Sequence, residues 1–462
     1  MLFLIPVIYL IRLGGVKVSG NSILWLFAGI CVLFIGLLAR VENEQSLRLV
    51  GHKLIACYQT MGILTLNALV LYAGLDLAAR ITLKIMSLIP SPTQELVGEG
   101  TPREKISYYA SQDWATQNWN EFARSRTQLY RPYVLWRRAP FQGKTINVDQ
   151  NGVRLTPGAE CSANSFKVFT FGSSTMWGTG SPDWGTIPAY LQADLKKLRD
   201  GPICVMNFSE SAYVSAQSII ALLLQLQSGN VPNWVLFYHG PDDISVAYES
   251  GRPDVHSNFV PMAARLEQRE PKPGPFMELL RSSYLFSLSN SLVSRLSQQP
   301  QAPPKLITYE SMGIETAALS ESIAQRYLSN YKIVAALAQE YGFDYFFFWP
   351  PYVSIGDKPL TREERNIKRE VDSAFDKLLH PVYQAIERVA PKYENLYYMG
   401  KIFDEYEPLI WIDDFHVTPT GNQMIAAKML EIITATLRQK AVRKTKNSPR
   451  YSSQHPWHEA VQ

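Results

Sequence analysis

Two uncharged apolar runs close to the start constrain this chain more than any other feature. Ser22 to Ala39 reads SILWLFAGICVLFIGLLA, and Leu54 to Leu75 reads LIACYQTMGILTLNALVLYAGL. Each is long enough to cross about 30 Å of hydrocarbon as a helix. Gln59, Thr60 and Asn67 make the second run more polar, which a helix facing a partner tolerates. Two buried helices of a soluble core are the alternative, but their close spacing favours a membrane hairpin. Met1 to Ile11 is a third apolar run with no basic start and no small-residue cleavage site. It therefore reads as a short third span or an interfacial segment, not as a signal peptide. Arg40, Arg48 and Lys53 between the two main runs favour the cytoplasm for that loop and place the rest outside; Arg80 and Lys84 weigh the other way.

The remainder has the composition of a folded protein, with 46% hydrophobic, 19% charged and 12% aromatic residues. A net charge of +4 gives no field of the kind nucleic-acid binding needs. Four regions are expected. Residues 1–89 form the anchor, and 90–160 form a linker with an ordered, Arg- and aromatic-rich lead-in. Residues 161–439 form the main domain, interrupted by a Pro-rich insertion at about 245–315 that reads as a lid or substrate rim. Residues 440–462 are a basic disordered tail. Cys31 and Cys57 fall in the apolar runs and read as packing residues. Cys161 and Cys204 fall at two strands expected to be neighbours; either a disulfide or two buried thiols fits their spacing.

From Phe166 onward, strand and helix patterns alternate. Strands are expected at Phe166 to Phe171, Ile203 to Asn207, Trp234 to His239, Tyr345 to Trp349 and Asn395 to Met399. Helices are expected at Thr186 to Leu198, Ser215 to Gln227, Ser320 to Tyr341, Thr361 to Val389 and Thr420 to Arg438. Continuously apolar strands separated by helices indicate a parallel sheet covered on both faces, a three-layer α/β/α sandwich of flavodoxin-like type.

Four segments carry chemistry. Gly172-Ser173-Ser174-Thr175 follows the first strand, so Ser174 lies at the carboxyl end of a parallel strand, where open α/β sheets place their sites. Asn207 to Ala212 (NFSESA) follows the second strand, and Gly240-Pro241-Asp242-Asp243 the third. Asp413-Asp414-Phe415-His416 lies near the end, with Asp413 three residues before His416 and able to orient its imidazole. A serine hydroxyl needs such a base. The G-x-S-x-G elbow of α/β-hydrolases is absent, because Met176 takes its last position. The remaining histidines, His52, His256, His380, His455 and His458, have no metal-site spacing, and no glycine-rich phosphate loop occurs. No cofactor or metal is expected.

These segments resemble the SGNH (GDSL-like) hydrolases over roughly Phe166 to Leu437, most specifically in DDFHVTPTGN. The resemblance implies Ser174 as nucleophile, His416 as base and Asp413 as its support. It also implies an oxyanion hole at Ala212 and Asp242, with Gly240 and Asn207 lining the site. Three positions depart from the family: Ser173 stands for Asp, Ala212 for Gly and Asp242 for Asn. The Ala212 amide still donates. An ionised Asp242 cannot, and at ~4 Å with an effective dielectric of ~20 it would oppose the anion by ~4 kcal/mol. The expectation is therefore that Asp242 is protonated, that another donor such as His239 replaces it, or that activity is weak. The implied activity is that of a membrane-anchored serine esterase acting on acyl, most simply acetyl, groups of an extracytoplasmic glycan. Transfer of the acyl group to a sugar is the neighbouring outcome. A non-catalytic glycan- or partner-binding module and a lipase or thioesterase are the alternatives. The expected partners are the bilayer and an ester-bearing substrate.

Overall fold

The computed structural model describes residues 44–88, 103–267, 282–296 and 308–447. The run Ser22 to Ala39, the segment Met1 to Ile11, Cys31 and most of the linker lie outside these residues. Two compact units are present. Residues 1–94 and 270–300 form one; 95–269 and 301–462 form the other.

The first unit is built on helix α1, Glu44–Leu88. Its stretch Gly51–Lys84 is long and apolar enough to cross a membrane, with no part of its most apolar window buried. The helix begins well before Leu54, so His52 and Lys53, expected in a loop, are helical. Cys57 is an exposed free thiol, not a packed one. Within the expected insertion, the helix Tyr284–Leu296 belongs to this unit. The Leu285 amide donates to Asp76 Oδ1 at 2.8 Å, and the Arg80 guanidinium lies 5.4 Å from the Tyr284 ring centre.

The second unit opens with helix α2 (Ala115–Arg124) and two small antiparallel pairs. Strands β1 (Gln128–Arg131) and β2 (Leu135–Arg138) form one, β3 (Phe141–Gln142) and β4 (Asn147–Val148) the other. The main sheet follows: β5 (Phe166–Gly172), β6 (Ile203–Asn207), β7 (Trp234–Tyr238), β8 (Asp344–Trp349) and β9 (Leu396–Tyr398). All are parallel, in the order β6-β5-β7-β8-β9. The chain order reverses around β5, which makes its carboxyl end the switch point where such sheets hold ligands. Helices cover the sheet, among them Ile187–Leu198, Ser215–Gln227, Thr316–Tyr341 and Pro419–Asn447. This is the α/β/α sandwich the strand pattern implies.

Register explains the stiffness of the centre. Phe171 pairs with Phe237 and Phe237 with Phe347 across neighbouring strands. Their rings stack at 5.2 and 4.6 Å, and Phe208 extends the row at 5.5 Å from Phe171. Each contact contributes roughly 0.5–1.5 kcal/mol beyond area burial. The ladder lies directly beneath the carboxyl edge and fixes the strand ends that carry the chemistry.

Several boundaries shift for local reasons. Thr361 to Val389 is two helices, Arg362–Glu370 and Ser373–Val389, because the Asp372 side chain accepts the Ala374 amide and starts a second helix. The last helix continues to Asn447, so residues 440–447 of the expected disordered tail are helical. Cys161 and Cys204 are bonded, which decides between the two readings of their spacing.

Candidate active site

Ser174 opens the four-residue helix Ser174–Trp177, directly after β5. As the first helical residue its amide has no intrahelical acceptor. Gly172 makes the sharp turn possible, since a Cβ there would meet Met176 Cβ at 2.4 Å. Gly178 ends the helix at φ +98°, in a conformation L side chains rarely adopt.

Two buried side chains hold this short helix from below. Asn207 donates through Nδ2 to the Met176 and Trp177 carbonyls, both at 3.3 Å, and accepts the Ser209 amide on Oδ1. It is buried and supports the helix that Ser174 opens. Arg154 is 1% exposed. It donates to the carbonyls of Trp177 (3.1 Å), Gly178 (2.9 Å) and Ser181 (2.7 Å) and pairs with Asp183 at 2.8 Å.

The Asp-His loop is pinned just as firmly. Glu364, fully buried, accepts the Ile410 and Trp411 amides on Oε1 at 2.9 and 3.2 Å. Its Oε2 takes the Lys358 ammonium at 2.9 Å and the Thr361 amide at 2.8 Å. The Ile412 amide bonds the His416 carbonyl at 3.0 Å, closing a tight reversal.

Ser174, His416 and Asp413 meet on these supports. His416 Nε2 lies 2.7 Å from Ser174 Oγ, and His416 Nδ1 lies 2.7 Å from Asp413 Oδ2. Asp413 Oδ1 accepts the amides of Phe415 (3.0 Å) and His416 (2.6 Å). Arg103 Nε contacts Oδ2 as well. Burial works against ionising Asp413, but Arg103 and His416 outweigh it and hold the carboxyl well below the usual range. Burial lowers His416, and Asp413 only partly offsets that, so the imidazole is neutral near pH 7 and ready to accept a proton.

Asp242 stands in the first turn of helix Pro241–Ser250. Its Oδ2 is buried without a protein partner among the described residues. Burial pushes it up to about 7, against a hydrogen bond from Ser173, with Asp243 and Asp414 raising it further. Asp414 is itself pushed up to about 7 by burial and by Asp413, and it takes the Tyr352 hydroxyl at 2.5 Å. His239 is not the substitute donor. Its Nε2 is engaged by Ser218 Oγ at 2.8 Å, its Nδ1 is 4.0 Å from Asp243, and burial drops its pKa to about 3. Gly240 serves packing, since a Cβ there would meet Trp349 Cε2 at 3.0 Å.

Ala212 adopts φ +62°. A Cβ in that region costs roughly 1–2 kcal/mol, which glycine avoids while keeping the amide. Ala212→Gly should therefore raise the urea midpoint by the equivalent of up to about 1 kcal/mol, the greater freedom of unfolded glycine taking back part of the gain. An unchanged or lower midpoint would mean the strain is relieved elsewhere.

Arg103, Arg154, Glu364 and Tyr352 lie outside the sequence blocks, and nothing in their local sequence marks them. No family model matches the chain, and no curated protein matches it. Solved structures similar to it include the acetyl xylan esterase AlAXEase, at 14% identity and TM-score 0.33, covering 57% of this chain and 98% of that one. A lipolytic G-D-S-L family member from Veillonella parvula is 10% identical at TM-score 0.31, covering 58% and 98%. A lipase/acylhydrolase from Enterococcus faecalis is 12% identical at TM-score 0.29, covering 59% and 96%. Strand order and the segments gathered at the sheet's carboxyl edge give this chain the fold that its resemblance to the SGNH hydrolases implied.

Proposed function

We propose that the chain is a membrane-anchored serine esterase of the SGNH type. The observation that carries this is the unbroken relay from Asp413 through His416 to Ser174, with both links at 2.7 Å. Ser174 Oγ attacks an ester carbonyl while His416 Nε2 takes its proton. The oxyanion that forms is met by the Ser174 and Ala212 amides and by the neutral carboxyl of Asp242. Collapse expels the alcohol, which takes the proton from His416. Water then attacks the acyl-serine by the same relay in reverse, releasing the acid. A sugar hydroxyl in place of water would make the reaction a transfer.

The substrate class follows from the resemblance to anchored family members: a short acyl group on an extracytoplasmic glycan. Trp184, half exposed, supports this reading, because its indole offers a sugar ring a face to pack on. It lies beside Gly185, which packs near Pro419, three residues beyond His416. The span Gly51–Lys84 supplies the anchor, and the Cys161–Cys204 bond favours an oxidising compartment for the catalytic unit.

The test is the pH profile of acetyl-ester hydrolysis, with p-nitrophenyl acetate and acetylated xylan as substrates. Asp242 carries its proton below about 7 and donates; above that it is an anion facing an anion. Wild-type activity should therefore fall as pH rises through about 7. Asp242→Asn, which keeps a donor at every pH, should hold its activity and exceed wild type at pH 9 by up to ~10²-fold. Absence of hydrolysis in both proteins would overturn the esterase reading and leave a binding module.

A further inference from the structure

We infer that Arg103, on the arm preceding the catalytic fold, is a positioning residue that shares the triad carboxylate with His416 and sets the strength of the base. The inference rests on the esterase reading and deepens it.

Three observations support it. Arg103 Nε reaches the same oxygen, Asp413 Oδ2, that holds His416 Nδ1 at 2.7 Å. The arm is fastened beside that contact. The Ser107 amide and hydroxyl donate to Glu363 Oε2 at 3.2 and 2.8 Å, and Tyr109 Oη donates to the Gly180 carbonyl at 2.8 Å. The two loop amides fill Asp413 Oδ1, which leaves Oδ2 to be divided between His416 Nδ1 and Arg103. The guanidinium therefore acts on the imidazole. A positive charge on the shared carboxylate opposes the imidazolium that forms as Ser174 loses its proton.

The other groups around His416 do not duplicate this. Ser174 and the Phe415 ring, 4.3 Å from the imidazole, are uncharged. Asp414 is engaged by the Tyr352 hydroxyl, and Tyr109 faces Asp413 as a neutral phenol. Arg103 is the cation among the described groups acting on His416. Asp413 stabilises the imidazolium, and Arg103 moderates that stabilisation.

The experiment measures kcat and KM for p-nitrophenyl acetate against pH in full-length wild type, Arg103→Gln and Arg103→Lys. The rate of fluorophosphonate labelling is followed in parallel. Arg103→Gln should move the acid limb to higher pH by about half a unit or more and raise plateau kcat ~2- to 5-fold, with KM unchanged. Arg103→Lys should stay close to wild type. An acid limb that does not move in Arg103→Gln, or one that moves equally in Arg103→Lys, overturns the inference. In either variant Asp413 keeps the His416 ring and two loop amides as partners. Should Arg103→Gln nevertheless fold poorly, the limb of Arg103→Lys in labelling decides: a shift toward higher pH counts against the proposal and none supports it. Loss of hydrolysis in wild type itself would count against the esterase reading, not against Arg103.

Discussion

Ser174→Ala should abolish covalent labelling by a fluorophosphonate probe and lower ester hydrolysis by on the order of 10⁵- to 10⁶-fold. The hydroxyl is the only atom removed, and its partner, His416 Nε2, is an uncharged imidazole nitrogen that loses one bond. The melting temperature should stay within a few degrees of wild type, so the loss reports chemistry and not unfolding. His416→Ala should cost about as much, and the double variant little more, because serine and base act as a unit. Residual labelling of Ser174→Ala above a tenth of wild type would place the nucleophile elsewhere.

The second large effect is on stability. Arg154→Met removes a guanidinium that satisfies Asp183 and the carbonyls of Trp177, Gly178 and Ser181 within the protein interior. Breaking a buried ion pair by removing one partner costs about 3–5 kcal/mol. The Trp177 ring also loses a cation, since Arg154 lies 4.2 Å and Arg138 3.7 Å from its centre. The urea midpoint should fall accordingly. Arg154→Met combined with Asp183→Asn should recover part of the loss, because no carboxylate is then left unpaired. A cost below about 1 kcal/mol for Arg154→Met would show that the cluster relaxes around the gap. Activity should fall beyond what stability explains, since these carbonyls end the helix that Ser174 begins.

Much of the centre of the fold was legible because its signals are local. Five apolar strands declare themselves by continuous burial, and Asp413 and His416 sit three residues apart on one loop. Contacts between distant residues were not legible. Arg103 meets Asp413 across 310 positions of chain, and Glu364 holds Ile410 and Trp411 across more than forty. Neither leaves a trace in periodicity. The β1–β2 pair was missed for another reason: Tyr133 at φ +68° and Leu135 at φ +73° turn where sequence offers no glycine. Tertiary contacts impose that turn, among them the hydrogen bond from the Trp136 indole to the Ser211 carbonyl. His239 misled because position alone put it at the site's edge, while its ring turns inward to Ser218.

The two borders of the main sheet differ in how they are closed. β9 is only three residues long, too short a template for another strand. β6 is longer, and the preceding chain covers its outer side: Arg154 bridges to Asn207, and the Glu160 amide bonds the Ile203 carbonyl. The Cys161–Cys204 bond clamps that cover in place. Protection of this border against pairing with a second copy is thus partly covalent, and it is complete only once an oxidant has acted. With the two thiols reduced, the cover would keep its backbone bonds but lose its covalent tie, so the redox state of one cysteine pair sets how firmly this border is closed.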